Sequence, residues 1–216
     1  MVVALADLGH IEEVTVVGAR HVSRDAARTQ SGLDGAPTFL ASAAQARALL
    51  RTLPAVRDAR VEISVPSSAR VALVEREAVG RWSSSDNVEW FIDASGVLFP
   101  SVDRAAAPDL RVFDERGPRA PGERIEPQAL VQAALRLAAL APGELRSDAT
   151  DLRVVMTAGP NGLVLRTGAR WEIRFGTADR FDEKLSNAKT FLRNNATRRL
   201  DYVDVRTPER IVFSPN

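Results

Sequence analysis

The sequence contains no cysteine, and that one absence removes disulfide staples, zinc–thiolate sites and cysteine nucleophiles together. Histidine is almost missing: His10 and His21 are the only two in 216 residues. Neither has a serine or carboxylate at a telling spacing, so each reads as a surface side chain. Lysine is scarce as well. Of 29 basic residues only Lys184 and Lys189 are lysine, leaving 27 arginines. Together with the abundant alanine this reads as a coding bias, so arginine clusters count for little as phosphate sites. No apolar run of about 18 residues occurs, so no stretch reads as a membrane span. No stretch reads as a secretory leader. Met1 to Leu5 is at most the outer end of such a segment, or a natural start. Patterns of the GxSxG, HExxH, Walker and GxGxxG types are absent too. A formal net charge of +1 gives no bulk attraction to nucleic acid or acidic membranes.

What is present is ordinary globular material. Hydrophobic residues make up 45% and charged residues 26%, enough for a core without staples. The length suits one large domain or two small ones. The stretch from Leu53 to Glu77 organises the first part. Leu53-Pro54 stops a preceding helix, because the proline ring disfavours helical geometry in the residue before it. Ala59, Val61, Ile63 and Val65 then alternate with Arg60, Glu62 and Ser64, the period of a strand covered on one face. Pro66-Ser67-Ser68 reads as a turn, and Ala69, Val71 and Leu73 resume the alternation. Upstream, Ile11 to Val17 is a β-branched strand closed by Gly18. Ser23 can cap a short helix ending near Gln30, with Asp25 in its first turn. A second helix is expected from about Ser42 to Thr52. The order strand, helix, helix, strand, strand predicts a compact α+β unit with two helices on one face of a small sheet.

Beyond Val79 the pattern changes. Trp82 and Val88–Ile92 suggest a second hairpin, with a turn at Asp93–Gly96 and a return at Val97–Phe99. A short strand is expected at Leu110–Phe113. Asp114 to Gln128 is polar and proline-rich, and Pro127 suits the first position of a helix running to about Leu140. Strands are expected at Leu152–Met156, Leu163–Arg166 and Ala169–Phe175, a helix from about Ala178 to Arg193, and last strands at Leu200–Arg206 and Arg210–Phe213. The expected second unit is a meandering sheet with two helices. Trp82, Trp90 and Trp171 read as sheet core. Glu12 and Glu13 read as solvated neighbours on opposite faces. Arg20, Arg24 and Arg28 read as a solvated helix face, with lipid head groups as the functional alternative.

At this point the residues carry a resemblance. Ile11–Gly18, Val22-Ser23, Leu50–Val56, Ala59–Pro66, Val74–Arg76, Trp82, Phe91–Asp93, Gly96–Phe99 and Tyr202–Arg206 match, in order and spacing, the bacterial division proteins of the FtsQ/DivIB family. The resemblance implies an α+β chain: an N-terminal POTRA domain (β-α-α-β-β) at residues 9–79, then a β-rich domain with two helices at 80–216. Residues 1–8 would be a residual juxtamembrane segment. It further implies a single-pass membrane protein whose N-terminal helix and short cytoplasmic tail are not in this sequence. Its function would be that of a non-enzymatic, cofactor-free divisome scaffold outside the membrane at the septum, linking early and late division proteins. FtsB and FtsL are the implied partners. The region from Ser101 to Glu144 gives no residue-level match. In a bacterial chain the sequon Asn195-Ala196-Thr197 is accidental.

The C-terminal strands are the candidate site. Arg210 to Ser214 can pair on one side with Leu200–Arg206, and the few residues after it are too short to cover the other. A bare edge offers unpaired amides and carbonyls to an incoming strand. The bland alternative is that Pro208 and Pro215 blunt an ordinary terminal strand. By the resemblance, Arg206 would fork a carboxylate on FtsB. Thr207, Pro208, Glu209 and Arg210 would form the connection, and Ile211, Val212 and Phe213 the strand and its apolar contact. The other readings are a POTRA module of polypeptide transport and, more remotely, a cell-wall enzyme.

Overall fold

The computed structural model describes residues 9–215. The apolar segment 1–8, expected to be juxtamembrane, lies outside them. The described chain is α+β, and its contacts divide it into two units. The first contains the residues up to Glu77 together with Phe99–Ala106. The second contains Ala78–Leu98 and everything from Ala107 onward.

The first unit has a three-stranded sheet and two helices. The chain enters as β1 (Glu13–Val17), then forms α1 (Arg24–Ser31), α2 (Ala43–Leu50), β2 (Val56–Ser64) and β3 (Ser68–Glu75). The sheet order is β1-β3-β2, with β1 parallel and β2 antiparallel to β3. Both helices start where the sequence supplies a cap: Ser23 accepts from the Ala26 amide and Ser42 from the Gln45 amide. Gly32 in the left-handed region ends α1. Val14 and Val16, Ala27, Ala46 and Leu50, and Ala59, Val71 and Leu73 form the core between sheet and helices.

Two expectations fail here. The alternation puts Val65 on the covered strand face, yet it is 84% exposed. The last paired residues are Ser64 and Ser68, so Val65 falls in the turn beyond the ladder, where alternation no longer sets its direction. His21 was read as a surface side chain, yet it is buried. The side chain of Glu75 explains why. Its two carboxylate oxygens accept the consecutive amides of Arg20, His21 and Val22, drawing that turn inward. The imidazole then packs edge-on against Phe99, with Nδ1 2.9 Å from the Ser101 hydroxyl.

The second unit is built on a nine-stranded sheet. Its strands are β4 (Ala78–Ser84), β5 (Glu89–Asp93), β6 (Leu98–Phe99), β7 (Arg111–Asp114), β8 (Arg153–Met156), β9 (Leu163–Arg166), β10 (Glu172–Gly176), β11 (Tyr202–Asp204) and β12 (Val212–Ser214). The helices are α3 (Gln128–Ala138) and α4 (Phe181–Asn194). The sheet order is β12-β11-β10-β9-β8-β7-β4-β5-β6. This corrects the expected meander. The pairs β4–β7, β7–β8 and β10–β11 are parallel. Parallel neighbours need a long crossover, and α3 and α4 supply it for the last two. Helix α3 begins one residue late because Pro127 is its cap rather than its first residue. Helix α4 begins at Phe181, not near Ala178, because Arg180 before it sits at φ 49, outside helical geometry. The last two strands are shorter than expected, since Thr207–Arg210 closes a turn of its own.

One register row shows how the core is assembled. Trp82, Val112, Val154, Leu165, Ile173, Val203 and Phe213 stand side by side across seven strands. All but Phe213 are buried, and Phe213 is partly so. Leu130, Val131, Ala134 and Leu137 of α3, with Phe181, Leu185, Ala188 and Leu192 of α4, cover that face. The adjacent row, on the opposite face, runs Ser83, Phe113, Val155, Val164, Arg174, Asp204 and Val212.

Candidate partner-binding edge

Strand β12 is the first strand in its sheet. It pairs antiparallel with β11 through Tyr202–Ser214, Val203–Phe213 and Asp204–Val212, and among the described residues no strand pairs with its other side. Alternate main-chain groups of such a strand point outward without a ladder partner. The strand is only three residues long, so the border it offers is short.

The side chains around it are held by α4. Phe213 continues the core row and packs on Phe191, ring centroids 5.1 Å apart and planes tilted by 43°. The guanidinium of Arg198 lies over the same ring at 4.8 Å. Ile211 also packs on the core cluster. Four residues before Phe191, Asn187 donates its side-chain amide to the Pro208 carbonyl at 2.9 Å. Arg180, just before the helix, binds the carboxylates of both Glu183 and Glu209. Asn187 and Phe191 are one helical turn apart on one stripe of α4, and with Arg180 ahead of them they fix the connection and the strand it leads into.

Arg206 is committed within the chain. Its Nε and one terminal nitrogen fork the Asp204 carboxylate at 3.0 and 2.6 Å, and its other terminal nitrogen donates to the Pro160 carbonyl at 3.1 Å. Two of its five N–H groups bond nothing among the described residues. Gly176, at φ 70, leaves room for the arginine stem, since a Cβ there would stand 2.9 Å from Arg206 Cγ. Burial alone would push the Asp204 carboxyl up, but the Arg206 fork and the Arg206 amide hold it below the usual aspartate value. Asp204, Arg206, Thr207, Arg210 and Val212 together line a groove of about 350 Å³ on the open face.

The eight sequence-predicted residues are therefore contiguous, but they divide by role. Ile211 and Phe213 face the core. Arg206, Thr207, Arg210 and Val212 border the groove. Pro208 is buried and Glu209 exposed. Sequence reasoning missed Asp204, Asn187, Phe191 and Arg198. Asp204 was findable, because residues two apart on a strand share a face and Asp204 precedes Arg206 by two. The α4 residues carried no local signal, since they meet this segment only through the fold.

Elsewhere, Asp114 is a second polar centre. Its fully buried carboxylate accepts from Trp82 Nε1 at 2.9 Å and is forked by Arg116, with Arg119 at 3.0 Å. Among the described residues no three of histidine, cysteine, aspartate or glutamate gather to hold a metal ion. No described helix is long and apolar enough to cross a membrane.

Comparison with known proteins bears on the whole chain. Residues 9–76 match the POTRA domain of FtsQ type, and residues 80–206 match the C-terminal region of cell division protein FtsQ/DivIB. Thr207 to Phe213 lie beyond that match. Cell division protein FtsQ of Chloroflexus aurantiacus is 30% identical over 178 residues, covering 82% of this chain and 64% of that protein. Its counterpart in Chloroflexus aggregans is 31% identical over 200 residues, covering 91% of this chain and 70% of the relative. The chain thus spans roughly two thirds of the length of the curated relatives it matches. Its first unit has the fold order of a POTRA domain and its second is the β-rich unit that follows. The chain belongs to the FtsQ/DivIB family of cell division proteins.

Proposed function

We propose that this protein is a non-enzymatic scaffold of the divisome, working on the outer side of the cell membrane at the septum and anchored by an N-terminal membrane helix. It takes a strand of a partner, FtsB of the FtsB–FtsL pair, onto the open side of β12. The observation that supports this most is the position of β12 at the end of the sheet, with β11 its one neighbour among the described residues. Main-chain hydrogen bonds along Ile211–Ser214 supply affinity, and side chains beside them select the partner. A partner carboxylate meets Arg206 through the two N–H groups that Asp204 and Pro160 leave over. Thr207, Glu209 and Arg210 border the added strand, and Pro208 with Asn187 keeps their turn rigid.

The test is a titration with the extracytoplasmic part of FtsB. Phe213→Ala combined with Arg206→Glu is expected to weaken binding by about 2–5 kcal/mol. Unchanged affinity in a folded double variant removes the C-terminal site. A polypeptide-transport role is the second reading. The match to the FtsQ-type POTRA domain and to the FtsQ/DivIB C-terminal region argues against it.

A further inference from the structure

The first unit has two unlike ends. At one, where β1 finishes, Arg20, His21, Glu75 and Arg76 gather. At the other, where the chain enters at Gly9, two loops meet. Thr38 donates its amide to the Gly9 carbonyl at 2.9 Å and its hydroxyl to the Pro66 carbonyl at 2.8 Å. His10 bridges to Pro37. The entering chain, the turn after Pro37 and the tip of the β2–β3 hairpin are thus tied together.

Three large apolar side chains project from this end: Phe39 at 54% exposure, Leu40 at 68% and Val65 at 84%. None has an obvious reason to be dry within the unit. Phe39 and Leu40 sit on a tight turn closed by Leu40 N–H and Ala41 N–H on the Pro37 carbonyl. Val65 stands beyond the last paired residues of its hairpin. Charge is missing here as well. Gly35 to Ser42 and Ile63 to Ala69 contain no charged side chain, in a chain where 26% of residues are charged. The residues that lead into Gly9 are apolar in sequence too, with Val2, Val3, Leu5 and Leu8 among them.

We propose that this end of the first unit rests on a lipid bilayer, with Phe39, Leu40 and Val65 inserted at the level of the head groups. Three features select lipid over a protein groove. The apolar residues come from two separate loops, Phe39 and Leu40 on the turn after Pro37 and Val65 on the β2–β3 hairpin, and a fluid surface accepts them without matching shape. The two segments that carry them hold no charged side chain, and the charges that border them, Glu12 and Glu13 beside Ser67 and Asp34 before Gly35, are few and of one sign. An apolar segment enters at the same place. Amphipathic surfaces of this kind bury their apolar residues a few ångströms into the head-group boundary. The surface differs from the one expected of Arg20, Arg24 and Arg28. Arg20 lies at the far end of β1, beside Glu75, where it pairs with Asp103.

The chain has no cysteine, so one can be introduced as a unique label site. The full chain, held on phosphatidylethanolamine–phosphatidylglycerol vesicles by an N-terminal histidine tag and a nickel-chelating lipid, carries a polarity-sensitive fluorophore at Leu40→Cys, Val65→Cys or Val88→Cys. Val88 is an exposed apolar residue of the second unit and serves as the control. Labels at positions 40 and 65 are expected to shift to the blue and to be quenched by spin-labelled lipid, while position 88 does neither. Phe39→Ser with Val65→Ser, read through the label at position 40, is expected to reduce the inserted fraction roughly tenfold or more, as loss of two apolar contacts implies. Tethering removes weak encounter as a reason for a negative result. Labels at 40 and 65 that stay in water overturn the proposal. So does a blue shift that appears without vesicles and grows with protein concentration, which marks a second copy as the occupant. Equal responses at all three positions also overturn it. None of these readings depends on partner binding at β12.

Discussion

Phe213 stands directly opposite Val203 across β11 and β12 and packs at a tilt on Phe191 of α4. The edge strand is thereby pinned to the core by one ring, while among the described residues no strand pairs with its outer side. Phe213→Ala is expected to cost about 1–2 kcal/mol of stability, the value of a partly buried aromatic, as read by urea unfolding. Phe213→Leu should recover most of that loss.

A pair of proline substitutions can separate the two sides of β12. Neighbouring residues of a strand send their amides in opposite directions. Val212→Pro and Phe213→Pro should therefore act differently. The one that removes an inward amide breaks a bond to β11 and lowers the melting temperature. The one that removes an outward amide spares most of the stability and abolishes strand addition by the partner. Two variants with matching losses in both assays would contradict the edge geometry.

The Asp114 centre makes a prediction about the core of the second unit. Burial pushes its carboxyl up, but Arg116 and the Trp82 indole hold it below the usual range, so it stays ionised at neutral pH. Asp114→Asn leaves Arg116 and Arg119 facing a neutral group. The expected cost is about 3–5 kcal/mol, measured by denaturant titration. A loss below 1 kcal/mol would mean that the arginines re-solvate freely.

His21 links stability to pH. Burial lowers its pKa below 6.5, outweighing the raising effects of Glu75 and Asp103, while Arg20 adds to the lowering and the Arg76 carbonyl opposes it. A histidine depressed in the folded state binds fewer protons than in the unfolded one. Its contribution is present above the ordinary value near 6.5 and is lost as pH falls from there through the lower folded value. The first unit should therefore unfold at a lower urea concentration at pH 5 than at pH 7.5, and His21→Gln should flatten that dependence.

Much of this architecture is legible in the sequence. Ser23 and Ser42 marked both helix starts of the first unit, and alternation located β2 and β3, because these are local signals. Trp171, Ile173 and Phe175 likewise declared their face correctly. What failed was non-local. Parallel pairing of β7 with β8 depends on a connection that opens with a proline-rich stretch of no periodic signature, and that of β4 with β7 on a return after β6 that has none either. His21 looked like a surface residue because Glu75, the group that draws it in, is 54 positions away. The strand next to the border was visible, but its supports on α4 were not. Arg206 looked available to a partner, and only the fold brings Pro160 to it.

The chain does not finish one unit before starting the next: Phe99–Ala106 belong to the first unit although β4 and β5, which precede them, belong to the second. A protease nick or engineered stop near residue 79 would not liberate an intact amino-terminal half. It would strip Phe99 and Ser101 from His21 and leave an imidazole facing solvent above the Glu75 turn. Excised pieces of this molecule should therefore melt earlier than their share of the whole, and a graft that carries Phe99–Ala106 along should restore what the simple excision loses.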